Sequence, residues 1–257
     1  MDWDTTRQSG ETMDKNNRFA RSDIFAAVIC AALLLTNLGL IGASGRIRAK
    51  QAVCQSNVKY LAHAWLAFAE DHDGSLVSGN IRSKPDAWIF ASFTADQRDN
   101  IRKGALFPYV GATGVYRCPS NPWSNPFCTY KIPGGANGED WQGYIPAIRY
   151  SELQKPASRY VFVETIDPRG YNMGSWQMNV QSKTWVAPLL IWHNNRTSLG
   201  FADGHAETRR WVNKSLIDWC TMAIEDPARF NFGMTPPAGE REDVEYMASG
   251  FPYKSLE

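Results

Sequence analysis

The chain has 257 residues, with 27 Lys and Arg against 26 Asp and Glu and a formal net charge of +1. That length is enough to bury one medium-sized core or two small ones. The near-cancelling charge excludes the basic excess of a nucleic-acid-binding domain and the acidic tail of a solvating one. Residues 1–17, MDWDTTRQSGETMDKNN, are polar with no apolar period and read as a disordered cytoplasmic leader. A continuous helix is expected over 18–73. Its part 24–43, IFAAVICAALLLTNLGLIGA, carries no charge and has the length of about 20 residues that crosses a bilayer. A cleaved secretory signal ending at Ala43-Ser44-Gly45 is the competing reading. Basic residues flank the span on both sides (Arg7, Lys15, Arg18 and Arg21; Arg46, Arg48 and Lys50). They lean only slightly toward an inside N-terminus.

Beyond the span, Val53, Val58, Leu61, Trp65, Leu66, Phe68 and Ala69 fall on helical spacings with no Pro or Gly between Arg46 and Asp71. The helix is therefore expected to continue as an amphipathic rod whose apolar stripe lies on a sheet. Gly74 in "EDHDG" supplies the stop.

From residue 75 to 225 short apolar runs alternate with Gly and Pro, which predicts an α+β head. A helical turn is expected over 94–103, a strand in "SRYVFVET", and one or two strands with a turn near Gln181–Lys183 in "SWQMNVQSKTWVAPLLIWH". "TSLGFADGHAETRRWV" predicts a hairpin with Asp203-Gly204 at the turn, because Gly takes a positive φ at little cost. A short helix is expected over 214–224, then an irregular extension over 226–257. The fold class expected is α+β: a long helix, part transmembrane and part amphipathic, packed on an antiparallel sheet.

Five cysteines are present. Cys30 lies in the apolar span. Cys54, Cys118, Cys128 and Cys220 form an even set, which a location outside the membrane would allow to pair. No C-x-x-C occurs, and four cysteines permit three pairings.

His193 is followed by nine residues and then Asp203-Gly204. With the long N-terminal helix, "CQSNVKYLAHAWLAFAEDHDGSLV" after it, "VYRCPSNP" around Cys118 and "LQKPASRYVFVET", this spacing resembles the type IV pilin-like, or pseudopilin, proteins. The likeness is to their prepilin-type processing-associated H-X9-DG group. It touches residues 19–211 in islands. It implies a pilin-like roll and a subunit of a type II secretion or type IV pilus-like system. Such a subunit would be single-pass in the inner membrane, with an extracytoplasmic head and other pilin-like subunits or secretion machinery as partners. The processing region departs from the family pattern: Phe19 and Asp23 stand where its Phe and acid would, but Arg18 replaces the small residue before the cleaved bond. No efficient cleavage is expected there.

The motif His193, Asp203 and Gly204 has two readings. One is a zinc site formed with His205; the favoured one is a turn in which Asp203 caps its own backbone and no metal is bound. "DHDG" invites calcium, but Ala69 and Asn80 stand where an EF-hand needs acids, so a helix cap is favoured. A bridge between Cys54 and Cys118 would pin the stalk to the head and leave Cys128 with Cys220. No G-x-S-x-G elbow and no converging acid–base set occur, so no enzyme is expected. Trp123, Trp141, Trp176 and Trp185 offer an alternative function, a tethered extracytoplasmic module binding a polysaccharide or a protein partner.

Overall fold

The structure is a computed structural model that describes residues 21–81, 85–90, 97–139 and 144–254. The leader 1–17, Arg18, Phe19 and Trp141 lie outside the described residues, and of Asp23 only its place in a helix is described. The chain divides into two compact units, Met1–Gly45 and Arg46–Glu257.

In the first unit the backbone from residue 21 onward is helical, part of α1 (Arg21–Asp71). Ile24, Phe25, Val28, Ile29 and Leu33 are exposed. Among the described residues no helix is long and apolar enough to cross a membrane. This finding overturns the transmembrane part 24–43, the single-pass inner-membrane location, and the membrane-anchored pilin-like roll.

The second unit is a layered α+β domain. Its sheet has the order β3-β1-β2-β6-β7, from β1 (Tyr130–Pro133), β2 (Tyr160–Glu164), β3 (Ser175–Trp176), β6 (Arg196–Phe201) and β7 (Ala206–Arg210). The pairs β1–β2, β2–β6 and β6–β7 are antiparallel, but β1–β3 is parallel. The sheet is thus mixed, not antiparallel as expected. The loop after β2 steps across β1 before entering β3, so β3 runs against β2 and therefore with β1. A small hairpin of β4 (Met178–Asn179) and β5 (Thr184–Trp185) stands apart.

One face of the sheet carries the C-terminal half of α1. Val58, Leu61, Trp65 and Phe68 recur at alternating three- and four-residue steps and are buried against Ile132, Val161 and Phe162. Side chains at that spacing share one helix face. Burying each is worth about 1.5–3 kcal/mol. The helix ends where the Gly74 N–H closes on the Ala69 carbonyl at 2.8 Å. Two short helices, α2 (Gln97–Arg102) and α3 (Phe107–Val110), flank this layer.

The opposite face carries α4 (Lys214–Glu225) and α5 (Glu242–Gly250). They bury Trp176, Trp185, Leu199, Trp211, Leu216, Val244, Met247 and Phe251 between them. The stretch expected to be irregular therefore contains α5. Asp243 fastens it, accepting the Val212 and Asn213 N–H groups at 2.9 and 2.8 Å, while Asn213 accepts the Asp243 N–H at 2.9 Å.

A bulge in β2 sets the phase of the strand. The pairing with β6 shifts between Tyr160 and Phe162. Tyr160 and Val163 face α4 and α5, whereas Val161 and Phe162 both face α1. Strict alternation would have kept Glu164 on the Tyr160 side; the extra residue turns it toward α1.

Candidate functional site

Four side chains from four distant segments converge where α1 crosses the sheet. Cys54 comes from α1 and Cys118 from the loop after the turn Thr113–Tyr116. Glu164 ends β2, and His193 precedes β6. All four are 0 % exposed. One ligand atom from each lies within 4.8 Å of the other three. The Cys54 and Cys118 sulfurs are 3.0 Å apart. His193 Nε2 is 3.2 Å from Cys54 Sγ, 3.4 Å from Cys118 Sγ and 3.3 Å from Glu164 Oε1.

Local sequence explains how each arrives. Cys54 is one turn before Val58 on the buried helix stripe. Cys118 is held by its own N–H donating to Thr129 Oγ1 at 2.6 Å, and its sulfur accepts the Ser120 N–H at 3.3 Å. Glu164 owes its direction to the bulge; its Oε2 accepts the Ser198 N–H at 3.0 Å. His193 is delivered by Asn194 and Asn195, both left-handed at φ 59° and 58°, a conformation that Asn tolerates better than most side chains.

The polar atoms are incompletely satisfied. Glu164 Oε1 and His193 Nδ1 are buried without a hydrogen-bond partner. The 3.3 Å approach of Glu164 Oε1 to His193 is close enough for charge attraction but is not aligned as a hydrogen bond. Burial opposes ionisation throughout. For Cys118 the hydrogen bonds from Cys54 and His193 outweigh it and favour the thiolate. Cys54 goes the other way: donating to Cys118, burial and the nearby Glu164 all hold it as a thiol. Burial lowers the His193 value, but Cys118 and Glu164 outweigh it and push it up to about 9.

The sequence motif resolves into a seat for the helix. His193 reaches Cys54. Gly200 lets β6 approach so closely that a Cβ there would stand 2.6 Å from the Val58 carbonyl oxygen. At Gly204, with φ +91°, a Cβ would meet the His63 ring at 2.9 Å. The segment from His193 to Gly204 thus touches α1 at Cys54, Val58 and His63 in turn.

The alternative metal sites weighed in the sequence are not assembled among the described residues. His193 is separated by β6 from Asp203 and His205; six strand residues span about 20 Å. Asp203 Oδ1 instead takes the His205 N–H at 3.1 Å and its ring Nδ1 at 2.5 Å in an exposed Asx-type turn. Burial opposes ionisation of Asp203, but the His205 hydrogen bonds outweigh it and keep the carboxyl low. In "DHDG", Asp71 accepts the Tyr109 hydroxyl at 2.9 Å, and His72 Nδ1 lies 2.8 Å from the Phe68 carbonyl, so the stretch is a helix end. All five cysteines are free. Cys128 Sγ donates to the Tyr130 carbonyl at 3.1 Å, and Cys220 Sγ accepts the Leu189 N–H at 3.4 Å; they lie in different cores. Trp176 and Trp185 are buried and present no face to a glycan, while Trp123 is half-buried against Trp192, ring centroids 5.6 Å apart.

An open cavity of about 670 Å³ is lined by Gln97, Arg98, Arg117, Ser124, Asn125 and Phe127, with no histidine or carboxylate among its lining residues. Glu164 is the site residue sequence reasoning missed. Its only signal was an acid closing the apolar run YVFV, a place where a charge must find a buried partner. In comparisons with known proteins, no family model, no curated protein and no solved structure matches the chain, so none of them supports the pseudopilin or type II secretion assignment.

Proposed function

We propose that the chain is a structural subunit that assembles with further copies of itself through the N-terminal part of α1. This is the role its resemblance to pilin-like proteins implies. The observation that carries this reading is the apolar surface of that helix. Ile24, Phe25, Val28, Ile29 and Leu33 are between 56 and 69 % exposed, at spacings that form i, i+4 ridges. An apolar helix face of this kind demands cover, and ridges at that spacing fit the grooves of a like helix. The seating of α1 by the His193–Gly204 segment supports the same reading, since it fixes the head-domain end of that helix.

The test uses the full chain with a photocrosslinking residue in place of Phe25, followed by mass spectrometry. Crosslinks between residues 24–33 of two copies are expected. Phe25→Asp with Ile29→Asp should abolish them and reduce the assembly to monomer, while leaving the unfolding midpoint of residues 46–254 unchanged. A chain that stays monomeric at working concentration and yields no crosslink between copies overturns the reading.

A further inference from the structure

We propose that Cys54, Cys118, Glu164 and His193 bind one zinc ion in a closed, structural metal centre. The inference is independent of the assembly reading, since it concerns the seam between α1 and the sheet and not the exposed helix face.

The donor set selects the metal. Two sulfurs, an imidazole nitrogen and one carboxylate oxygen suit a borderline cation; Mg²⁺ and Ca²⁺ take oxygen ligands alone. A tetrahedral zinc, with bonds of ~2.3 Å to sulfur and ~2.0 Å to nitrogen or oxygen, spaces its ligand atoms about 3.2–3.8 Å apart. The contacts of 3.2, 3.3 and 3.4 Å around His193 Nε2 lie within this range, all four ligand atoms lie within 4.8 Å of one another, and the sulfurs, now 3.0 Å apart, would open by ~0.8 Å to hold the ion. Four protein ligands leave no open position, and all four are fully buried, so the ion would hold structure and not turn over substrate.

The surroundings match a metal site in their second layer of contacts. The Ser120 N–H donates to the Cys118 sulfur two residues back. The Ser198 N–H occupies Glu164 Oε2 and leaves Oε1, the oxygen without a hydrogen-bond partner, turned to the centre. The Tyr130 hydroxyl lies beside Cys54 and also accepts the Asn57 amide at 3.3 Å. Such outer contacts orient ligands and offset their charge. On binding, both cysteines enter as thiolates, His193 enters neutral through Nε2, and the displaced protons leave to water.

A disulfide accounts for less. Oxidation would leave an imidazole and a carboxylate buried against a neutral bridge, whereas the ion engages one atom of each of the four groups and leaves only His193 Nδ1 without a partner.

The test is metal analysis of the full chain isolated under reducing conditions, with about one zinc per chain expected. Cobalt substitution of the unmodified chain should give thiolate charge-transfer bands and the intense visible bands of a tetrahedral site. Cys118→Ser and His193→Ala should weaken zinc binding at least tenfold, on the order expected for losing one ligand, while Cys128→Ser and Cys220→Ser retain it. X-ray absorption on the unmodified chain reads the ligands without depending on the folding of a variant: two sulfurs and two lighter atoms are expected. A folded, reduced chain that takes up no stoichiometric zinc or cobalt overturns the proposal, as does a Cys54–Cys118 disulfide in metal-free protein isolated from its own cells.

Discussion

Asp167 sits in the loop just after β2, buried at 2 % exposure. Arg169 grips it through Nε at 2.9 Å and an Nη at 2.7 Å, and the Arg169 backbone N–H adds a third bond at 2.9 Å. Burial opposes ionisation, but Arg169 and the buried Lys131 outweigh it and hold the carboxyl below the usual range. A depressed carboxylate stabilises the fold above its unfolded pKa of about 3.9 and loses that contribution as pH falls through the folded value. Asp167→Asn should therefore lower stability by about 1–3 kcal/mol at neutral pH. The deficit should shrink below pH ~4, as read by denaturant titrations across pH. Legibility at this scale was uneven. Cys54, Cys118 and His193 each drew attention in the sequence, but as a disulfide pair and a turn residue. Glu164 drew none. Their convergence depends on a one-residue bulge and two left-handed asparagines, neither of which leaves a periodic trace.

Between elements, β6 lies close on α1 at Gly200. A methyl at position 200 would press on the Val58 carbonyl, which belongs to the helix backbone and cannot rotate away. Gly200→Ala should cost about 1–3 kcal/mol, the range for overpacking a well-filled seam. Gly114→Ala, where nothing lies within 4 Å, serves as its control in the same thermal melt. The hairpin and the amphipathic stripe of α1 were readable because each obeys a period, two for strands and 3.6 for helices. The parallel pairing of β3 was not, since two residues carry no period and their partner is fixed by a loop path. Nor was α5: its helical turns sit amid Pro and Gly, and the Asp243 anchor that fastens it comes from tertiary contact.

The molecule from Arg46 onward has two cores on one sheet. Cys128 belongs to the α1 side and Cys220 to the α4–α5 side. β2 and β6 contribute side chains to the α4–α5 core, and β2 to both, so neither core can open without breaking strands that support the other. Pulsed labelling of these two thiols through a urea titration should therefore report the same midpoint. Separate midpoints would mean that the sheet does not couple them. Trp65, Trp88, Trp176, Trp185 and Trp211 are all buried in these two cores. The membrane span expected from the uncharged run 24–43 is overturned, since no helix among the described residues is long and apolar enough to cross a membrane.

The bulge and the asparagine turn also carry a consequence in time. Cys54 and His193 are 139 positions apart, so during synthesis the first sulfur emerges long before its imidazole neighbour exists. Pairings of such sequence separation form late and slowly. Until β6 is laid down, the helix that bears Cys54 lacks one of the strands packed on it and the imidazole that lies against its sulfur. The interval between those two events is when this chain is most open to oxidation and to wrong partners.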